Sequence, residues 1–143
     1  MLNVRWLPAH PNDGSISMDR YWWSIHHAGA QMPGDVRTTC PLGEPDLRAR
    51  RFSRLKRFWT RRFTYPLLAR RQPPVDVVHI LDHSSAYLMT HLPPEAKVIV
   101  TVHDLIPLQY EEGLTPSQHA RFRRCVEHLR SATLLVAVST ATQ

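Results

Sequence analysis

Continuous apolar runs alternate with amphipathic stretches along this chain. The runs are rich in Val, Ile and Leu, and they predict strands over residues 3–7, 35–41, 75–81, 97–102 and 133–138. Helices are predicted between them: one capped by Ser17, a short one over residues 84–92, and one after Thr115, where the order Thr-Pro-Ser-Gln is that of a capping box. Apolar strands that alternate with helices are typical of a parallel sheet covered on both sides. The pattern therefore predicts one α/β domain over residues 1–143, with a parallel sheet flanked by helices.

A basic and aromatic segment interrupts this alternation. Residues 48–72 carry ten Lys or Arg side chains and no Asp or Glu. The rest of the chain has a net charge of −4, so the overall formal charge of +6 comes from this one segment. Within it, apolar side chains recur every three or four residues and predict one apolar face of a helix: Phe52, Leu55, Trp59 and Phe63. Proline at position 66 should end or kink that helix.

The sequence leaves three interpretations of this helix open. In the first, the helix lies on an anionic membrane surface and contacts it through Arg54, Lys56, Arg57 and Arg61. In the second, its apolar face packs into the fold and its basic face is solvated. Nucleic acid is the third and least favoured partner, because no recognised nucleic-acid-binding module surrounds the segment. We expect no nucleic-acid partner.

Polar residues follow several of the predicted strands. Ligands of parallel sheets bind beyond the carboxyl ends of the strands, so these residues are candidates for a site. They are Gly14 and Ser15 after the first strand, residues 82–85 after the third, His103 and Asp104 after the fourth, and Ser139 after the last. The imidazole of His103 has the chemistry to hydrogen-bond a sugar hydroxyl or a developing charge. Taken alone, the His-Asp pair is more often a local turn, and its place at a strand end favours a role in a cleft.

Other chemistries have little support in the sequence. His79 and His83 are four residues apart along a strand, hence about 13 Å from each other, which does not suit a shared metal. The chain has no P-loop, nucleophile elbow or paired-cysteine motif, and Cys125 falls on an apolar helix face. Neither a signal peptide nor a stretch of roughly 18 apolar residues is present. These features predict a cytoplasmic protein that binds no metal.

The second half of the chain resembles a known family. The order Val75-Asp-Val-Val-His79, then Lys97 to Pro107 with His103 and Asp104 at the strand end, then a capped helix and Leu134 to Ser139, is similar to the N-terminal domain of family 4 glycosyltransferases. Members of that family are retaining, metal-independent enzymes with two Rossmann-like domains (the GT-B fold). They transfer a sugar, often mannose in bacterial envelope polysaccharide biosynthesis, from a nucleotide-sugar to a glycan or lipid-linked acceptor.

The resemblance implies specific roles for the strand-end residues. It places His103 in the cleft close to the transferred sugar, and it assigns Gly14 and Ser15 to the loop that approaches the donor phosphates or the acceptor. Asp104 and Ser139 are expected to bind substrate beside them. The basic helix would suit association with the inner face of the plasma membrane.

The resemblance also implies a second domain. In that family the nucleotide-sugar site lies in a C-terminal domain, which these residues do not supply, so we expect residues 1–143 to be a truncated enzyme that is inactive alone. The alternative is a non-catalytic Rossmann-like binding module whose basic helix contacts membrane or nucleic acid.

Overall fold

The computed structural model describes residues 1–13, 15–32, 34–44, 53–105 and 115–140. Five parallel strands form one sheet in the order β2-β1-β3-β4-β5, namely β1 (Leu2–Leu7), β2 (Val36–Thr39), β3 (Val77–Ile80), β4 (Lys97–Val102) and β5 (Leu134–Ala137). Helices flank the sheet, so the predicted Rossmann-like α/β fold is confirmed. β1 pairs with β2 on one side and with β3 on the other. The strand order therefore reverses between β1 and β3.

Helix α1 (Ile16–Gly29) covers one face of the sheet. Successive side chains of a strand point to opposite faces, and β1 shows this directly. Trp6 packs with Trp22 of α1 and with Leu81 in one cluster, while Leu7 belongs to a larger cluster on the other face. The rings of Trp6 and Trp22 meet edge to face, with 5.4 Å between centroids. Ser15 takes the cap position of α1, so the prediction of Ser17 was wrong by two residues.

A continuous helix spans most of the basic segment. It consists of α2 (Arg54–Trp59), a π-helical turn (Thr60–Thr64) and α3 (Tyr65–Arg70), and we call residues 54–70 the basic helix. Of the two predicted effects of Pro66, an end of the helix does not occur, and the regular α-helix is instead interrupted by a π-turn just before the proline. The wider π-turn just before Pro66, closed by a hydrogen bond from the Tyr65 amide to the Thr60 carbonyl, supplies the space that a proline ring needs inside a helix.

The larger core lies on the face of the sheet opposite α1. It packs strand residues such as Ile80 and Val100 against Tyr65 of the basic helix, Leu88 of a 3-10 segment (His83–His91) and Leu129 of α4 (Pro116–Leu129). The short helix predicted over residues 84–92 is this 3-10 segment. The predicted capping box at Thr115 is confirmed, with hydrogen bonds in both directions between Thr115 and Gln118.

The prediction of a buried last strand was wrong. β5 forms an edge of the sheet, and its apolar side chains Leu134, Leu135 and Val136 are exposed. An apolar run predicts burial on both faces only where helices cover both faces. Among the described residues, no helix is long and apolar enough to cross a membrane.

Candidate functional site

Residues from three elements meet at the carboxyl edge of the sheet. We call this cluster the carboxyl-edge site, and it consists of Tyr21 of α1, Asp82 and His83 after β3, and His103 and Asp104 after β4. Because parallel strands end at the same edge, residues 82 and 103 become neighbours although 21 positions separate them. The structure thus places residues 82 and 83 beside His103 and Asp104, and a role for them in binding stays a prediction.

His103 is held on two sides. Its Nε2 lies 2.9 Å from the carbonyl oxygen of Leu81, at the end of β3. A carbonyl can only accept, so in the neutral ring Nε2 carries the proton and Nδ1 is the acceptor. The Tyr21 ring packs edge to face on the imidazole, with centroids 4.6 Å apart. These contacts orient the ring of His103 from β4 towards the point where the strand order reverses.

Asp82 and His83 form the buried base of the site. The Asp82 carboxylate accepts hydrogen bonds from the amide of Ser84, at 3.0 Å, and from its hydroxyl, and so caps the 3-10 segment. His83 is 8% exposed, and its Nδ1 lies 3.5 Å from Asp82 with no hydrogen-bond partner among the described residues. Burial lowers the pKa of His83, against the opposing effects of Asp82 and Asp104. Burial therefore favours the neutral form of His83.

The other predicted substrate-binding residues lie around this cluster. Ser15 begins the helix that carries Tyr21, and its hydroxyl is 3.3 Å from that of Ser17. Ser139 is exposed just after β5, one residue beyond the amide of Val138 that bonds the carbonyl of Val102. Gly14 lies outside the described residues. The predicted roles of all these residues in binding substrate remain predictions.

The basic helix lies beside the carboxyl-edge site and is joined to it. Asn12, in the loop after β1, donates a 2.8 Å hydrogen bond to the Thr60 hydroxyl, and Arg61 donates one of 2.7 Å to the carbonyl of Ser84. Arg61 also lies over the Tyr87 ring, 5.3 Å from its centroid. Of the four predicted membrane contacts, Arg54, Arg57 and Arg61 line a groove between this helix, the 3-10 segment and α4, and Lys56 is exposed outside it.

The apolar face of the basic helix is exposed. Leu55, Trp59, Phe63 and Leu67 are 47–67% exposed, and we call them the apolar stripe. The rings of Trp59 and Phe63 pack together with centroids 4.8 Å apart. A different face, with Thr60, Tyr65 and Ala69, is buried against the domain. The interpretation in which the apolar face packs into the fold is therefore wrong for these residues, and Phe52 lies outside the described ones.

Sequence reasoning missed two contributors to this region. Tyr21 precedes the buried Trp22 and sits on the flank of the helical face, so periodicity gave it no special weight. Arg121 and Arg124 of α4 line the groove opposite the basic helix, and their role depends on a contact between distant elements.

Cys125, on the predicted apolar face of its helix, is partly buried against the larger core. Its thiol donates a hydrogen bond to the His83 carbonyl, and burial raises the pKa of the thiol to about 11.

Among the described residues, no cluster of three or more His, Cys, Asp or Glu side chains could hold a metal ion. Comparisons of the chain with protein-family models, with curated proteins and with solved structures find no significant match.

Proposed function

We propose that this chain is the acceptor-side Rossmann-like domain of a retaining glycosyltransferase. The enzyme would transfer a mannose-like sugar from a nucleotide-sugar to a glycan or lipid-linked acceptor, without a metal. The observation that carries the proposal is the setting of His103, which stands at the carboxyl end of β4 and is oriented by the Leu81 carbonyl and the Tyr21 ring. The resemblance of residues 75–143 to family 4 glycosyltransferases supplies the reaction class.

The geometry supports a positioning role for His103. The imidazole of His103, held at Nε2 by the Leu81 carbonyl, is placed at the strand end to hydrogen-bond a sugar hydroxyl. The exposed carboxylate of Asp104 is a second acceptor. Sugars are recognised by several hydrogen bonds at fixed angles, and a ring held from two sides loses little freedom when it makes one. In this proposal Ser15 and Ser139 add hydroxyl groups at the rim.

Contact with a membrane belongs to the same proposal. The apolar stripe is exposed, and basic side chains flank it on the same helix, Lys56 and Arg62 among them. An exposed apolar face with basic neighbours is the arrangement of a helix that lies in a lipid interface. The domain would then sit at the cytoplasmic face of the plasma membrane, where a lipid-linked acceptor is within reach.

A sugar titration tests the proposed site. We expect α-mannobiose to bind the purified chain weakly and His103→Ala to weaken binding about 3- to 10-fold, since one hydrogen bond contributes about 0.5–1.5 kcal/mol. His27→Ala removes an exposed histidine of α1 outside the site and serves as the matched control. Dissociation constants come from amide shifts in NMR spectra. Equal affinities for the parent and His103→Ala would contradict the role given to His103.

A further inference from the structure

A large groove lies beside the carboxyl-edge site. Its walls are the basic helix, the 3-10 segment and α4, and its volume is about 1050 Å³. This is the size of a pocket for a small molecule rather than for a single ion. Six of the lining residues are arginines, and we call it the arginine groove: Arg54, Arg57, Arg61, Arg62, Arg121 and Arg124.

The described lining of the arginine groove carries an excess of positive charge. The described lining residues include no Asp or Glu, and the arginines come from two facing elements, with the basic helix on one side and α4 on the other. A groove lined by one sign of charge concentrates ions of the opposite sign. Burial lowers the pKa of His91, and Arg62 and Arg70 lower it further. The Asp82 carboxylate acts the other way, because it opposes the lowering of the His83 pKa by burial and adds to the raising of the Cys125 pKa by burial.

Several lining groups are fixed in place. Arg61 is held by the Ser84 carbonyl and the Tyr87 ring, and the thiol of Cys125 ties α4 to the His83 carbonyl at 2.7 Å. His83 lines the groove and is more than nine-tenths buried, with its Nδ1 3.5 Å from the Asp82 carboxylate. These contacts hold the 3-10 segment, the basic helix and α4 together around the groove.

We propose that the arginine groove binds an anion that carries two or more phosphate groups. Guanidinium groups bind phosphate oxygens in pairs of parallel hydrogen bonds, and arginines on facing walls suit phosphates placed side by side. The ring of Phe122, 6.0 Å from that of His83, offers an apolar surface to the rest of the ligand. The same chemistry occurs in a soluble oligophosphate and in a phosphorylated lipid head group. His83 borders both sites, but the arginines that would bind phosphate lie outside the carboxyl-edge site, and neither Tyr21 nor His103 lines the groove, so the two proposals can fail separately.

Titration with sodium tripolyphosphate by calorimetry, at a fixed ionic strength near 0.15 M, tests the proposal. We expect saturable binding to the purified chain and a loss of at least about tenfold in Arg121→Gln/Arg124→Gln, since hydrogen bonds to charged groups are the stronger class. Arg20→Gln/Arg130→Gln is the matched control, because it removes two exposed arginines outside the groove and the same charge. Circular dichroism checks that both variants fold, and Arg57→Gln/Arg124→Gln replaces the first variant if it does not.

A comparison of two kinds of vesicle distinguishes a phosphorylated lipid head group from a soluble oligophosphate as the ligand. Vesicles that contain phosphatidylinositol 4-phosphate, tested against vesicles of equal charge made with phosphatidylglycerol, report a lipid head group. Preference for the phosphorylated lipid that is lost in Arg121→Gln/Arg124→Gln supports the lipid source, and tripolyphosphate binding without that preference supports the soluble one. The proposal is overturned if the groove variant and the control lose the same affinity for tripolyphosphate. It is also overturned if citrate binds the parent chain as tightly as tripolyphosphate does. Binding of single-stranded oligonucleotide that tripolyphosphate does not displace overturns it as well.

Discussion

At the scale of single residues, Gly29 decides how closely α1 approaches the sheet. It is the last residue of the helix, and a Cβ atom placed on it would lie 2.0 Å from Cη2 of the buried Trp6 ring. That ring also meets Trp22, so it cannot move without disturbing the smaller core. Residue 29 follows Trp22 by seven positions and so shares its helix face, but only the structure shows that this face requires a residue without a side chain there.

Gly29→Ala should destabilise the chain. Alanine favours a helix over glycine by about 1 kcal/mol at most, while overpacking a core costs about 1–3 kcal/mol, and a contact this close leaves no room for relaxation. We expect a lower free energy of unfolding in urea, followed by tryptophan fluorescence. Gly34→Ala is the control, because nothing lies within 4 Å of its added Cβ. A Gly29→Ala variant as stable as Gly34→Ala would show that the packing of Trp6 on α1 is wrong.

His79 links folding to pH through a partly buried hydrogen bond. Its Nε2 lies 2.9 Å from the Thr101 hydroxyl inside the sheet, and burial lowers its pKa from the ordinary value of 6.5. The unfolded chain therefore binds a proton at this residue more readily than the folded chain. The corresponding stability is complete above about pH 6.5 and is lost as the pH falls towards the lowered pKa.

His79→Gln should flatten this dependence, because glutamine can still bond Thr101 and does not titrate. Urea unfolding measured between pH 7.5 and pH 5 should show a smaller loss of stability in His79→Gln than in the parent chain. Thr38→Gln, at a half-buried position of β2, controls for placing a glutamine in the sheet. If the free energy of unfolding falls equally with pH in His79→Gln and in the parent, His79 is not protected from protonation in the folded chain.

At the scale of elements, the basic helix presents three faces. One is buried through Tyr65 and Ala69, one lines the arginine groove, and one exposes the apolar stripe. The spacing of Leu55, Trp59 and Phe63 predicted a shared face, and the packing of Trp59 on Phe63 agrees. Periodicity alone cannot decide whether such a face is covered, since the answer depends on which side of the helix the sheet occupies. The π-turn before Pro66 could not be predicted either. Such a turn forms only where the helix continues past the proline, and the local sequence does not decide whether it does.

Removing part of the apolar stripe should weaken binding to lipid. In flotation with vesicles of mixed phosphatidylglycerol and phosphatidylcholine, Trp59→Ser/Phe63→Ser should reduce partitioning about tenfold, since losing two half-exposed rings costs about 1.4 kcal/mol or more. Ile16→Ser/Trp23→Ser removes exposed apolar side chains of α1 and should leave partitioning unchanged. If both double variants bind as the parent does, the stripe is not a membrane contact.

At the scale of the whole molecule, the strand order creates the site. Alternating apolar runs were enough to predict a parallel sheet with helices on both faces, and the residues after each run were enough to place His103 and Asp104 at its carboxyl edge. The neighbours of His103 were harder to predict. Tyr21, Leu81 and His103 come together because β3 lies between β1 and β4, and an order of strands depends on contacts that span the chain. The arginine groove joins residues 54–62, 83–91 and 118–128 for the same reason.

The central claim is that a sugar acceptor binds at the carboxyl edge of the sheet, beside His103. The most direct measurement is the position of the amide shifts that α-mannobiose causes in a nitrogen-15 spectrum of the parent chain. We expect shifts concentrated at Tyr21, Asp82, His103 and Asp104, which do not line the arginine groove, and their loss in His103→Ala. Shifts confined to the arginine groove or to β5, or none at the carboxyl edge with any glycan of a mannose-containing panel, would contradict it.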